Sequence, residues 1–358
     1  MRKLKPSKKL KSSSKIKISA CYIVKNEEAN IKRSIDSLKS QVDEIIIVDT
    51  GSTDNTIAIA ESCGAKVFTL PWQEDFSAPR NLALDNASGD WIIFLDADEF
   101  FARETIKNIR PTVEQAEKAN KTGVLVNLVN IDVDDGNKIL DTTYLLRIFK
   151  KANGIHYQGR IHEELQFADG KPIDNLTLAP QTVLTLYHTG YSSAINESKS
   201  RRNLKMLLAE LNETKFPKRI YGYIAECYNG INDYVNAEKY ALLDIEGGRR
   251  NTTFAAVSYR ILLNILVKDP TRREDRLKIS ARAAKDFSEL PEFHAEYAEC
   301  LAMHGKFAEA INEMEIALKN FSSYKGIEPM MFDNEMAKFA KERLILWRSK
   351  LNEENQSK

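Results

Sequence analysis

Short apolar runs alternate with polar, turn-forming segments through the first half of the chain. The runs that predict β-strands cover residues 16–24, 44–48, 66–70 and 91–96. Between them, periodic or helix-favouring segments predict helices over about 28–40, from about 55, and over about 77–87. Strands that alternate with helices favour a mostly parallel, Rossmann-like sheet covered on both faces. The first half is therefore predicted to be an α/β domain.

The pattern changes further along the chain. Residues 122–131 and 144–149 predict two more strands, with a turn over 134–137 between their flanks. From about 198 the chain is rich in helix-forming residues, and Ala225-Glu226-Cys227 recurs as Ala298-Glu299-Cys300. The distance along the chain between these two copies is roughly two units of 34 residues, and a unit of 34 residues is typical of tetratricopeptide repeats. A plain helical domain without true repeats is the alternative.

These patterns divide the chain into four parts. We expect a basic tail over 1–15, an α/β domain over 16–200, a helical repeat domain over 201–350 and a disordered end over 351–358. A last helix over about 332–349 is expected to cap the repeats. The repeats would offer a surface for a peptide, another partner or a second copy of the chain.

Polar residues collect where three of the predicted strands end. They lie at 25–28, 49–52 and 96–99, and ligands of such sheets bind at the carboxyl ends of the strands. Asp96 and Asp98 are two residues apart, so both carboxylates can face one point in an extended chain. Oxygen ligands of this kind suit Mg²⁺ or Mn²⁺, which can in turn hold a diphosphate. The alternative for Asp98 is a helix N-cap.

Arg80 and Asn81 follow Pro79 at the start of a predicted helix. A guanidinium and a divalent cation can both neutralise the charge that develops on a diphosphate leaving group. Backbone donors at the helix start would assist. The alternative for Arg80 is an ordinary surface ion pair.

A group of titratable residues lies at 162–164, with His188 further along the chain. A transfer reaction needs a base for the acceptor's proton, and Glu163 and Glu164 are both candidates. If this segment is extended, His162 and Glu164 share a face and Glu163 points away. His188 is a candidate metal ligand, with a hydrogen-bonded core histidine or an acceptor contact as alternatives.

Five ordered motifs resemble those of family 2 glycosyltransferases, which have the GT-A fold and use nucleotide-activated sugars. The motifs are Ile23–Glu28, Val48–Asp54, Asp75–Asn81, Gly89–Trp91 and Asp96–Glu99. The resemblance implies that the strand end at 23–26 borders the base and ribose and that Asp49 binds the nucleobase, expected to be uracil. It implies that Arg80 lies near the diphosphate, that Asp96 contacts the ribose or the metal through water, and that Asp98 binds the metal. The expected donor-site residues are Ile23, Val24, Lys25, Asn26, Glu27, Asp49, Gly51, Ser52, Arg80, Asn81 and Asp96, and the expected metal ligands are Asp96, Asp98 and His188.

The resemblance is more specific at three segments, 158–164, 187–191 and 199–203. These segments resemble a bacterial subgroup whose catalytic domain precedes helical repeats. That subgroup includes sublancin-type enzymes that glycosylate cysteine or serine of bacteriocin peptides, and also many envelope-glycan enzymes. The resemblance implies a metal-dependent inverting transfer of a hexose from a nucleotide-sugar, expected to be a UDP-sugar. The acceptor stays open between a glycan, a lipid-linked glycan and a peptide.

The start of the chain is strongly basic. The 358 residues have a net charge of +1, but residues 1–17 contain eight Lys and Arg and no acid. We interpret this segment as a solvated arm or as a site of peripheral attraction to an anionic membrane. No base-reading module is recognisable, so nucleic acid is not an expected partner.

The sequence has neither a secretory signal pattern nor an apolar run of 18 residues. Its four cysteines are widely spaced, which favours free thiols. These features favour a cytoplasmic protein. Peripheral contact with the inner face of the membrane is a further interpretation.

Two other functions fit the sequence less well. A nucleotidyltransferase would open with a glycine-rich phosphate loop after its first strand, whereas residues 25–28 read Lys-Asn-Glu-Glu. A non-catalytic scaffold would have a degenerate first domain, whereas Asp49, Arg80, Asp96 and Asp98 are all present.

Overall fold

The computed structural model describes residues 15–133, 135–189, 196–214, 216–250, 254–326 and 328–356. The chain divides into two compact units. The first takes the described residues up to 127, with 145–158 and 163–188, and the second takes 128–144, 159–162 and those from 189 onward. Of the predicted basic tail, all but Lys15 lies outside the described residues, as does the end of the 187–191 motif.

The strands of the chain follow the predicted apolar runs and add several shorter ones. They are β1 (Ile18–Val24), β2 (Glu44–Asp49), β3 (Lys66–Thr69), β4 (Trp91–Asp96), β5 (Glu99–Phe101), β6 (Gly123–Asp132), β7 (Lys138–Lys150), β8 (Ile155–Gln158), β9 (Glu164–Phe167), β10 (Leu176–Ala179) and β11 (Thr185–His188). The predicted strand over 144–149 is thus the second half of a longer strand, β7.

Within the described residues, nine strands form one mixed sheet in the order β3-β2-β1-β4-β7-β6-β11-β5, with β10 paired to β6 beside this path. Strands β1 to β4 run parallel to their neighbours among them. By contrast, β7 pairs antiparallel with β4, and β11 pairs antiparallel with β5. Strands β8 and β9 form a separate antiparallel hairpin. The predicted α/β fold is confirmed, and the sheet is mixed because β4 and β5 each have an antiparallel partner.

The core of the first unit lies around the central strands β1 and β4. Trp91, Ile92, Ile93, Phe94 and Leu95 are all fully buried. A strand covered on both faces has no solvent side, so its sequence is continuously apolar rather than alternating. This explains why residues 91–95 are an uninterrupted apolar run.

Gly89 is required by the close approach of β4 to β1. A Cβ at this position would lie 2.5 Å from Ser19 Oγ and 2.7 Å from Ser19 N. The Gly89 amide donates to the same hydroxyl at 2.8 Å. The Gly89–Trp91 motif therefore has a packing reason, because a larger residue would push β4 away from β1.

The helices are α1 (Ile31–Asp36), α2 (Thr56–Ser62), α3 (Ser77–Asn86), α4 (Ile109–Lys118), α5 (Asn196–Glu213), α6 (Tyr221–Gly230), α7 (Tyr234–Glu246), α8 (Val257–Leu266), α9 (Arg273–Asp286), α10 (Pro291–Met303), α11 (Phe307–Ser323) and α12 (Asn334–Gln356). The first four belong to the first unit and the rest to the second. None of the described helices is both long and apolar enough to cross a membrane.

The helical C-terminal region confirms the predicted second half. Helix α6 packs against α7, and α10 packs against α11. Ala225 on α6 and its repeat partner Ala298 on α10 are both fully buried, as are Ala237 on α7 and Ala310 on α11. Small residues at these equivalent positions let each helix pair approach closely, which accounts for the repeat in the sequence.

Two predicted boundaries differ from the structure. Helix α1 is shorter than the predicted 28–40, because the flanking residues form separate turns, such as the bond from the Leu38 amide to the Ile35 carbonyl. Helix α12 is longer than predicted and continues to Gln356, through residues that we expected to be disordered. Its last residues are mostly good helix formers, so the helix extends past its buried face.

Candidate functional site

The carboxyl ends of three parallel strands meet at one edge of the sheet. In the register, Val24 of β1 lies beside Asp49 of β2, and Ile23 of β1 lies beside Asp96 of β4. The predicted polar segments after these strands are thereby brought together. This is the edge at which open α/β sheets bind their ligands.

The loops after β1 and β2 are tied to each other by hydrogen bonds. The Asn26 amide donates to Ser52 Oγ at 2.9 Å, and the Thr53 amide donates to Asn26 Oδ1 at 2.8 Å. Asn26 has a φ of 56°, a left-handed conformation that asparagine tolerates better than most residues. The exposed side chain of Lys25 lies next to this junction in the chain.

Asp49 organises the loop that follows it. Its Oδ1 accepts hydrogen bonds from the amides of Gly51 at 2.9 Å and Ser52 at 3.0 Å, and the residue is only 1% exposed. Such a turn fixes the backbone of residues 49–52 beside the strand ends. Asp49 therefore has a clear structural role in addition to the base-binding role that the sequence predicts.

Arg80 lies at the centre of a buried charge cluster. Its Nη2 donates to Asp96 Oδ1 at 2.9 Å, its Nε donates to Glu163, and its side chain is 8% exposed. The guanidinium carbon lies 4.7 Å from the ring centroid of Phe94 and 5.5 Å from that of Tyr157. Nη1 is buried and has no hydrogen-bond partner among the described residues. The guanidinium is therefore only partly satisfied by the described part of the protein.

Asn81, the neighbour of Arg80, holds the hairpin strand β8 in place. Its Nδ2 donates to the Tyr157 carbonyl at 2.9 Å, and its Oδ1 accepts from the Tyr157 amide at 2.8 Å. Through these two hydrogen bonds, the side-chain amide of Asn81 pairs with the Tyr157 backbone as the backbone of a neighbouring strand would. The structure therefore places Asn81 beside the cluster, with its side chain engaged by the backbone.

Arg147 is a functional candidate that the sequence analysis missed. Its Nη2 donates to Asp96 Oδ2 at 2.9 Å and also to Glu99, whose side chain is 1% exposed. The Asp96 amide in turn donates to Glu99 Oε2 at 3.2 Å. A single arginine inside the apolar run of 144–149 was the available signal, because a charge within a buried strand needs a partner. Arg80, Arg147, Asp96, Glu99 and Glu163 form what we call the Asp96 cluster.

The pKa values of the two central acids of the cluster, Asp96 and Glu99, are shifted in opposite directions. Burial would raise the pKa of Asp96, but Arg80 and Arg147 outweigh it and hold the pKa well below the usual range. Burial raises the pKa of Glu99 to about 7, although Arg147 opposes this shift. Asp96 is therefore a fixed anion, whereas Glu99 titrates near neutral pH.

Asp98 and His188 face each other next to the Asp96 cluster. His188 Nε2 lies 3.3 Å from Asp98 Oδ2, and the pairing of β5 with β11 sets His188 opposite Glu99. Burial would lower the pKa of His188, but the hydrogen bond and charge of Asp98 outweigh it and raise the pKa. Across the part of the chain that the structure describes, no group of three or more His, Cys, Asp or Glu side chains is arranged to hold a metal ion. Asp98 and His188 are two candidate ligand side chains, one carboxylate and one imidazole.

The two candidate bases lie in different surroundings. Glu163 has its carboxylate on Arg80 and a side chain that is 12% exposed, whereas Glu164 is exposed and accepts from the Gln166 side chain at 3.0 Å. The segment is not extended, because Glu163 lies in the loop between β8 and β9 and His162 has a φ of 51°. The condition under which His162 and Glu164 would share a face is therefore not met.

The side chain of His162 packs on another residue of the second unit. Its ring stacks on Tyr223, with the centroids 3.7 Å apart, and both residues belong to the second unit. Burial lowers the pKa of His162 to about 4, so the ring is neutral at physiological pH. The structure does not place it with Glu163 as a titratable group.

Part of the chain is similar to a known protein family. Residues 19–172 match the model described as glycosyl transferase family 2. A TPR repeat-containing protein of Synechococcus elongatus is 35% identical over 179 residues, which are 49% of this chain and 42% of that protein. The SPbeta prophage-derived glycosyltransferase SunS of Bacillus subtilis is 29% identical over 217 residues, which are 59% of this chain and 49% of that protein. The chain thus spans less than half the length of these relatives.

Among solved structures, residues 1–349 of Staphylococcus aureus TarS in complex with UDP match with a TM-score of 0.40. The match has 16% identity and covers 86% of this chain and 91% of that one.

Proposed function

We propose, from the match of residues 19–172 to the glycosyl transferase family 2 model, that this protein is a metal-dependent, inverting glycosyltransferase. It transfers a hexose from a nucleotide-sugar, a UDP-sugar, to a glycan, a lipid-linked glycan or a peptide. The observation that carries the proposal is the Asp96 cluster, with the Asp98–His188 pair beside it, at the carboxyl edge of the sheet. Two buried arginines and a metal-ligating pair are what a diphosphate leaving group needs.

The donor nucleotide would bind along the loops that follow β1 and β2. Residues 23–27 would border the base and ribose, and Asp49 with the turn at Gly51 and Ser52 would hold the base. The fixed hydrogen bonds between the two loops support this assignment, because a preformed site loses less entropy when the ligand binds. Asn81 supports the same site by anchoring β8.

Asp98 and His188 would hold Mg²⁺ or Mn²⁺. One carboxylate and one imidazole fit such an ion, and the diphosphate oxygens would complete the shell. Bound there, the ion would neutralise charge on the diphosphate. Asp96 is already paired with Arg80 and Arg147 through its two oxygens, which favours the sequence-based alternative that it contacts the ribose or the metal through water.

Glu163 is the base in this proposal, in preference to Glu164. Its carboxylate lies in the cluster with Arg80, whereas Glu164 is exposed and bonded to Gln166. The acceptor oxygen or sulfur forms a bond to the anomeric carbon while the bond from that carbon to the diphosphate breaks. The acceptor's proton goes to Glu163, and the bonding electrons leave with the nucleoside diphosphate, whose charge Arg80 stabilises. Attack opposite the leaving group inverts the anomeric centre.

The test is nucleotide release from a panel of nucleotide-sugars, with Mn²⁺ and with EDTA. We expect one donor to be turned over, only with metal, and Asp98→Asn to abolish turnover. Glu163→Gln should lower the rate by about 10²-fold or more, while the matched control Glu164→Gln should stay near the wild-type rate. Glycan, lipid-linked and cysteine- or serine-containing peptide acceptors, offered with the labelled donor, identify the acceptor class.

No release in any mixture, together with no thermal stabilisation by UDP and Mn²⁺, would refute the enzyme and favour a scaffold. Equal losses in Glu163→Gln and Glu164→Gln would refute the assignment of the base alone.

The basic residues 1–17 also support peripheral attraction to anionic lipids at the inner face of the membrane. Co-sedimentation with phosphatidylserine vesicles, compared with neutral vesicles, tests this. Removal of residues 1–14 should abolish the difference.

A further inference from the structure

The loop between β8 and β9, residues 159–163, passes from one unit to the other. Residues 159–162 belong to the second unit, whereas the next residue, Glu163, belongs to the first. Glu163 is the base in the proposed function, and its carboxylate is bonded to Arg80 within the first unit. The backbone that carries this base is therefore held, on its N-terminal side, by the contacts of residues 159–162.

A buried acid of helix α5 holds the first half of the loop. The Arg160 amide donates to Glu210 Oε2 at 3.0 Å, and Glu210 is only 7% exposed. Oε1 of Glu210 accepts from Arg219, so an ion pair fixes the carboxylate itself. Gly159 has a φ of 103°, and a Cβ at this position would lie 3.1 Å from Arg219 Nη2. Hydrogen bonds to a carboxylate are stronger than neutral ones, so Glu210 fixes the loop by its backbone.

An aromatic side chain of helix α6 holds the second half of the loop. The ring of His162 lies parallel to that of Tyr223, with the centroids 3.7 Å apart and an angle of 6° between the planes. His162 has a φ of 51°, a conformation that is uncommon outside glycine and persists where contacts over-determine it. Burial lowers the pKa of His162 to about 4, so the neutral ring keeps this contact across the physiological pH range.

The position of Glu163 is thus fixed at both of its ends. Arg80 holds its carboxylate, and the residue that precedes it in the chain is held by Tyr223. A general base must lie within hydrogen-bond reach of the proton that it takes. A misplacement of about 1 Å can lower the rate roughly 10²-fold. Contacts that fix the loop therefore bear on the rate as well as on stability.

We propose that Glu210 and Tyr223 are positioning residues for the base Glu163. They act through residues 159–162 and not through contact with the donor or the acceptor. The proposal rests on the proposed function, in which Glu163 takes the acceptor's proton. It gives the helical unit a part in the reaction that is separate from the binding of a partner.

The test measures kcat and the donor KM for nucleotide release by the full chain. We expect Glu210→Ala and Tyr223→Leu each to lower kcat about tenfold or more, with the donor KM changed by less than about twofold, because the donor loops are untouched. Tyr223→Phe keeps the ring and should restore the wild-type kcat. Glu213→Ala is the matched control and should also match the wild type. Glu213 is an exposed acid of the same helix that bonds the side chain of Arg160 rather than its amide.

A double-mutant cycle shows whether Tyr223 acts through Glu163. The variant Glu163→Gln already lacks the base, so the addition of Tyr223→Leu should lower kcat no further. A merely structural role would multiply the two losses. Hydrogen exchange at the Arg160 amide measures the anchoring without turnover, and it should be faster in Glu210→Ala than in the wild type.

Three results would overturn the proposal while Glu163→Gln is impaired. They are a wild-type kcat in both Glu210→Ala and Tyr223→Leu, losses that multiply in the cycle, and a loss in Tyr223→Phe equal to that in Tyr223→Leu. If Glu163→Gln matches the wild type, or the wild type releases no nucleotide, the proposed function fails and the positioning role falls with it. Thermal melting checks that each variant is folded. Tyr223 is only partly buried, so Tyr223→Leu carries the test if Glu210→Ala does not fold.

Discussion

Arg147 is the residue whose removal tests the Asp96 cluster most directly. Its guanidinium neutralises Asp96 and Glu99 together, and it is 14% exposed. The substitution Arg147→Met keeps much of the volume and removes the charge. We expect it to destabilise the first unit by an amount that grows with pH.

The size of the effect follows from which acid is left unpaired. In the variant, Asp96 still pairs with Arg80, and its side chain is one-third exposed. Asp96 therefore contributes little to the loss of stability. Glu99 is buried with a pKa of about 7, and loss of Arg147 raises that pKa further. At pH 6 Glu99 is protonated in both proteins, and the lost hydrogen bonds cost about 1–2 kcal/mol. Above pH 7 only the variant keeps the proton, so the deficit grows by about 1.4 kcal/mol per pH unit. Its limit is about 3–5 kcal/mol, the cost of breaking a buried ion pair.

The assay is urea unfolding at pH 6 and pH 9, followed by tryptophan fluorescence, because Trp91 is fully buried in β4 of the first unit. Lys150→Met is the matched control, since Lys150 lies on the same strand and pairs with Glu117 at the surface. We expect the control to change stability by less than about 0.5 kcal/mol at both pH values. A deficit in Arg147→Met that is equal at pH 6 and pH 9, or no larger than that of the control, would refute the reasoning.

Three further predictions concern residues around the site. Glu99→Gln should remove the fall in stability between about pH 4.5 and 7 that a raised folded-state pKa causes; urea unfolding across this range measures it, and an unchanged slope would contradict it. Gly89→Ala should cost about 2 kcal/mol or more, because its Cβ meets Ser19 at 2.5 Å; a melting temperature equal to that of the wild type would show that β4 can shift. Asn81→Ala should cost about 1–3 kcal/mol by freeing two backbone groups of Tyr157; faster amide exchange in β8 is the measurement, and unchanged exchange would disprove the anchoring role.

The fold could be predicted to the extent that it depends on local pattern. The run 91–95 predicted β4 because both faces of that strand are buried, and the small residues Ala225 and Ala298 revealed the helix pairs because equivalent contacts need equal size. The length of β7 could not be predicted in this way, because its first residues are mostly polar and exposed. Pairing across the sheet keeps such residues in a strand, and the local sequence does not record that pairing.

The site was predictable where its residues follow a strand directly. Asp49, Asp96 and Asp98 became candidates because parallel strands bring their carboxyl ends to one edge. Arg147 was missed because only the antiparallel pairing of β7 with β4 brings it to Asp96. The choice between Glu163 and Glu164 depended on a loop conformation, and a period-two pattern does not apply in a loop.

The Asp96 cluster is better explained by function than by stability. Arg80, Arg147 and Glu99 are nearly buried, and bringing such charges out of water costs several kcal/mol for each ion. Apolar residues of similar volume would serve the fold at least as well, as they do in the rest of β4. Instead, Nη1 of Arg80 and Nε of Arg147 are buried without hydrogen-bond partners among the described residues. Two unsatisfied cationic donors at the carboxyl edge of the sheet therefore support the proposal that this edge binds an anion such as a nucleoside diphosphate.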